Sequence, residues 1–133
     1  MKSKVVRGAG ASWPEIPVRA YKELPEAYRD VTRRVLLGAG EGEEALAFEL
    51  RYFEVAAGGF SSLERHEHPH AVVILAGRGE VRLGDRRFEI EPFDAVYVAP
   101  REPHQFLATR GEALGFLCLV DSLRDRPQLL GDP

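Results

Sequence analysis

The sequence predicts an all-β protein, and three observations carry that prediction. Thirteen glycines and nine prolines in 133 residues break the chain at short intervals. Between those breaks lie short runs rich in β-branched and aromatic residues. Only Pro25 to Tyr28 hints at a helical turn. Many short strands at such regular spacing fold as a sandwich or a small barrel.

Residues 1 to 30 contain Pro14, Pro17 and Pro25 and read as an irregular or edge-strand arm. A single domain is expected from 31 to 133. Val31 to Leu37 is its first strand, stopped by Gly38-Ala39-Gly40. Ala45 to Val55 follows and meets the pair Gly58-Gly59, after which Phe60 to His66 runs into a histidine-rich segment. Ala71 to Leu75 is closed by Gly77-Arg78-Gly79, and Gly84-Asp85 separates Glu80 to Leu83 from Arg87 to Ile90. Glu91-Pro92 precedes the strand Ala95 to Val98, and Arg110-Gly111 separates His104 to Ala108 from Leu114 to Val120.

Composition narrows the function classes. With 44% hydrophobic residues the chain can bury a core without cross-links, and Cys118, its single cysteine, excludes an intrachain disulfide. That fits a reducing compartment. The formal net charge of −3, with Arg and Glu interspersed, offers neither a basic stripe for nucleic acid nor a charged tail. No apolar run approaches membrane-spanning length, so a cytoplasmic protein without a membrane partner is expected.

All four histidines fall in two segments. His66, His68 and His70 alternate, which on a strand would put them on one face, and His104 comes from farther along the chain. This pattern reads as a divided metal site. In a regular strand His66 and His70 would lie roughly 13 Å apart at about 3.3 Å per residue, too far for metal–nitrogen bonds of about 2.0 to 2.1 Å. The chain must therefore bend, and Pro69 sits where proline favours a bulge or strand end.

The spacing Gly59-x6-His66-x-His68-x-His70-x6-Gly77 resembles the first motif of the cupin superfamily, and Pro92 to His104 is similar to the second. With flanking strands the resemblance covers about residues 45 to 121. It implies a double-stranded β-helix, the cupin jelly-roll barrel, holding one divalent transition ion through His66, His68 and His104. His70 falls at the family's usual glutamate position, so imidazole replaces a carboxylate, and Phe93 and Arg101 stand where glycines are common. Ala108 takes a position often held by asparagine. Neutral nitrogen donors without thiolate suit Zn, Ni, Cu, Fe or Mn.

The metal set is thus His66, His68, His70 and His104, with His70 also readable as a pocket wall residue that hydrogen-bonds substrate. Glu64 shares their parity and is the candidate catalytic base, the alternative being an arginine-paired surface residue. Tyr52, Glu54 and Tyr97 are further candidate polar groups of the pocket. Phe106 and Phe116 are expected in the core or pocket wall, and Cys118 reads as a small buried hydrophobe.

Three functions follow. One is a dioxygenase-like metalloenzyme acting on a small oxygen-bearing organic substrate. Another is a metal-dependent isomerase or lyase using Glu64 or Glu54 as base. The third is a non-catalytic module for a metal or small ligand. Dimers are common among cupins, and a homodimer is expected, its arm before about residue 37 covering a neighbouring sheet edge.

Overall fold

In the computed structural model, residues 3–10, 12–21, 27–38 and 42–130 are described. They form a curled, wholly antiparallel sheet of eleven strands. These are β1 (Arg19–Ala20), β2 (Arg29–Leu37), β3 (Phe48–Phe60), β4 (Glu64–Arg65), β5 (His70–Ala76), β6 (Gly79–Leu83), β7 (Arg86–Ile90), β8 (Ala95–Val98), β9 (His104–Leu107), β10 (Leu114–Asp121) and β11 (Gln128–Leu129). One wall runs β1-β2-β3-β10-β5-β8, and the other runs β7-β6-β9-β4-β11.

β3 joins the two walls, and its glycines explain how. Over most of its length it pairs with β2 and β10, and at its end Phe60 meets Leu107 of β9. At the crossing Gly58 has φ of 79°, and a Cβ on Gly59 would stand 2.5 Å from the Arg29 carbonyl oxygen. A side chain at Gly59 would collide with main chain, so the bend depends on glycine there. Main-chain bonds then tie Gly58, Gly59 and Ser61 to Ala108 and Phe106.

Alternation places Phe53 and Val55 of β3 and Phe116 and Cys118 of β10 inside. The Phe116 ring stacks between Phe53, at 5.5 Å, and Phe106, at 4.3 Å. Val72, Ile74, Val81 and Val98 complete this core, each buried aliphatic side chain contributing about 1.5 to 3 kcal/mol. Phe106 and Phe116 take the expected places.

Two expectations are corrected. The alternating histidines do not share one strand face, because β4 ends at Arg65 and β5 begins at His70, with the chain bending between. Nor do Tyr52, Glu54 and Tyr97 enter the pocket. Tyr52 points to the outer side of β3, where Trp13 of the N-terminal segment covers it at 4.7 Å; Glu54 and Tyr97 are exposed. Pro25 and Glu26 of the helical turn read at Pro25 to Tyr28 lie outside the described residues. Among the described residues no helix is long and apolar enough to cross a membrane.

Candidate metal centre

The bend at His66 to Pro69 is what brings the histidines together. His66 follows β4, His70 opens β5, and His104 opens β9 opposite Glu64. Ligand atoms of His66, His70 and His104 all lie within 4.8 Å of one another. Their ring centroids are 4.3 Å apart for His66 and His70, 4.7 Å for His66 and His104, and 5.4 Å for His70 and His104. His68 lies flat against His66, at 3.7 Å and 6° between planes, with Nδ1 2.7 Å from Asp125 Oδ1. It stands beside the trio of converging donors.

Main-chain carbonyls set the tautomers. His66 Nδ1 lies 2.5 Å from the His68 carbonyl oxygen, and His104 Nδ1 lies 2.9 Å from that of Glu102. A carbonyl only accepts, so both Nδ1 atoms carry the proton and both Nε2 atoms present a lone pair. His66 Nε2 is buried without a hydrogen-bond partner. An orphaned, inward-facing imidazole nitrogen in a cluster of neutral nitrogen donors fits a borderline divalent ion.

Burial keeps His66 and His70 neutral. Burial, reinforced by His104 and His68, lowers the His66 pKa from 6.5 to about 4. Burial also pushes His70 far below its usual range, with His66, His104 and the Arg51 guanidinium adding to the effect. At neutral pH these imidazoles are deprotonated and available for ligation.

Glu64 is buried, only 4% exposed. Its Oε2 accepts from Ser62 Oγ at 2.7 Å, and its Oε1 lies 3.9 Å from His104 Nε2. The Tyr21 hydroxyl stands 3.2 Å from Ser62 Oγ, and burial followed by the Glu64 charge raises its pKa well above the usual tyrosine range. Tyr21, Ser62 and Glu64 thus form a polar chain beside the histidines, buried at Ser62 and Glu64 and partly buried at Tyr21. They line one pocket together with His68, His70, His104 and the inner aromatic rings.

Sequence reasoning missed several members of this pocket. Arg33, Arg51 and Arg124 all line it, and Arg51 Nη2 reaches Cys118 Sγ at 3.4 Å. The available signal was parity, since Arg51 alternates in register with the inward Phe53 and Val55. Burial raises the Cys118 pKa and Arg51 opposes that rise. Tyr21 and Ser62 were also missed, as was Asp125, the residue that grips the His68 turn from a distant segment.

A curled antiparallel barrel with a divided histidine cluster at its mouth defines a class, and the chain belongs to the cupin family, whose Cupin domain matches residues 51–120. It is 50% identical over 118 residues to the 1-methylthio-D-xylulose 5-phosphate methylsulfurylase of Rhodospirillum rubrum, spanning 88% of this chain and 73% of that protein. A crystal structure of a cupin 2 conserved barrel domain protein from Rhodopseudomonas palustris superposes with a TM-score of 0.85 at 42% identity, covering 97% of this chain and 87% of that one. A cupin-2 domain from Rhodospirillum rubrum gives 0.80 at 45% identity, with 98% and 82% covered.

Proposed function

We propose that this chain is a metal-dependent enzyme that removes the methylsulfur group from a 1-methylthio ketose phosphate. The observation that carries the reading is the buried Glu64 carboxylate set against three converging imidazoles. The 50% identity to the methylsulfurylase supports the choice of substrate. His66, His70 and His104 are the proposed ligands, with His68 as a fourth candidate. A divalent ion held there would supply Lewis acidity, polarising a carbonyl oxygen.

The chain's own residues supply the rest. In such a substrate the carbon bearing the methylthio group adjoins a ketone, so charge developing on that carbon is delocalised onto the carbonyl oxygen. The methylsulfur group passes to the sulfur of a thiol co-substrate, the carbon–sulfur bond breaking as a sulfur–sulfur bond forms, and Glu64, hydrogen-bonded by Ser62, relays the thiol's proton to the carbon that lost the sulfur. Tyr21 keeps its own proton and so preserves the donor end of the chain. Phe106 and Phe116 form the apolar wall that excludes water.

The test uses metal-loaded protein purified without an affinity tag, incubated with 1-methylthio-D-xylulose 5-phosphate in deuterated water, with and without an added thiol. Proton NMR should show loss of the S-methyl signal and deuterium at the neighbouring carbon. Chelation should abolish both. The likeness of this three-histidine cluster to the all-histidine sites of dioxygenase-like cupins favours a second reading, dioxygenase chemistry. Dioxygen consumption without methylsulfur loss would replace the first reading with that one.

A further inference from the structure

Three cationic side chains converge on the pocket that holds the histidines. Arg33 extends from β2, Arg51 from β3, and Arg124 from the segment after β10. Arg51 is only 7% exposed and lies over the Phe53 ring at 4.9 Å. Its Nη2 reaches the Cys118 sulfur, a weak acceptor, and its Nε is buried without a partner. Arg33 Nε is likewise buried and unmatched.

The local charge balance is positive. Glu49 Oε1 approaches Arg124 Nη2 at 3.4 Å, and Arg124 Nη1 also donates to the Asp121 carbonyl at 2.9 Å. Glu64, the carboxylate that lines the pocket with the arginines, is already engaged by Ser62 beside His104. Burial lowers the Arg33 pKa, and repulsion from Arg51, Arg19 and Arg124 lowers it further against the opposing pull of Glu49. Burying guanidinium groups with unmatched donors is costly unless an anion completes them. The planar fork of arginine suits phosphate oxygens, two at a time.

We propose that Arg33, Arg51 and Arg124 form an anion subsite that receives the phosphate dianion of a phosphorylated substrate whose carbonyl end lies at the histidine cluster. The second half of this statement rests on the catalytic reading above. The first half stands on the arginines alone. The three arginines line the same pocket as His70 and His104, so the phosphate and the carbonyl belong to one small molecule.

Calorimetric titration of metal-free and metal-loaded protein with D-xylulose 5-phosphate, D-xylulose and inorganic phosphate tests it. The phosphate ester should bind at least tenfold tighter than the free sugar in both forms, and inorganic phosphate should compete with it. Arg51→Gln and Arg124→Gln should each weaken the ester at least tenfold and leave D-xylulose unchanged. Arg124 is partly exposed, so its variant serves if Arg51→Gln does not fold, as judged by circular dichroism. Equal affinity for ester and free sugar, or unaltered ester affinity in a folded variant, would overturn the subsite. Absence of methylsulfur release with the phosphate preference intact would overturn only the catalytic reading.

Discussion

Asp125 grips His68 from a segment far along the chain. Its Oδ1 stands 2.7 Å from His68 Nδ1, and its two oxygens accept from the main-chain N–H groups of Glu67 at 2.8 Å and His68 at 3.1 Å. These bonds hold the Asp125 carboxyl well below the usual carboxylate range. One side chain therefore fixes the turn on which His66 and His70 depend. Asp125→Ala should loosen that turn and weaken metal binding by about 10- to 100-fold, because the turn it holds carries the proposed ligands His66 and His70 at its two ends. Competition with a fluorescent chelator measures this, and an unchanged affinity would remove Asp125 from the site.

Single-histidine variants separate ligands from neighbours. His66→Ala, His70→Ala and His104→Ala should each fall well below one bound equivalent of divalent ion per chain. His68→Ala should keep an equivalent at reduced affinity, because its ring lies beside the converging trio. Elemental analysis after dialysis reads the difference. Complete loss in His68→Ala would make it a ligand in its own right.

Replacing Glu64 tests the carboxylate without disturbing the nitrogen donors. Glu64→Gln keeps an oxygen to accept from Ser62 but no longer exchanges a proton at neutral pH. Turnover should fall by about 10²- to 10⁴-fold with metal content unchanged. A rate within a few-fold of the parent would assign Glu64 a structural role.

Acid should destabilise the metal-free protein through its buried imidazoles. The His66 pKa is about 4 in the folded chain against 6.5 for an ordinary histidine, so between those values the unfolded chain binds more protons. Stability is then fully present above about 6.5 and is lost as pH falls toward 4. His70, depressed further, extends the loss to lower pH. Urea midpoints at pH 7, 5.5 and 4.5 should decline steadily, and less steeply in His66→Leu.

Two turns carry backbone strain that glycine would relieve. Phe93 has φ of 74° and Arg101 has φ of 64°, the left-handed region that side chains disfavour. The Phe93 side chain is 87% exposed, so Phe93→Gly gives up little packing. It should stabilise by about 0.5 to 1 kcal/mol, strain relief exceeding the added entropy of the unfolded chain. A lower denaturant midpoint would contradict this.

Those two turns also show what was legible beforehand. The motif spacing marked Phe93 and Arg101 as occupying glycine positions, and the distance between His66 and His70 demanded a bend at Pro69. Both are local inferences. The Arg51–Cys118 contact was out of reach because it depends on the register of β3 against β10, two strands far apart in sequence. Glu64 was ambiguous for a similar reason. Its parity was readable, but its burial depends on β9 arriving to place His104 opposite it. Tyr52 was misread because sequence parity did not say which face of β3 turns inward; Arg51, Phe53 and Val55 take that face, and Trp13 covers Tyr52 from outside.

The carbonyl that orients each of His66 and His104 belongs to a residue only two positions away. Ring orientation is thus written within each segment, and the barrel's task is to bring the segments together. An ion shared between them would bind the assembled segments and not the unfolded chain, so its binding free energy would add to the stability of the folded state. Metal loading should therefore act as a late clasp on folding, felt most at the mouth where β4, β5 and β9 begin or end and least in the aromatic stack behind it.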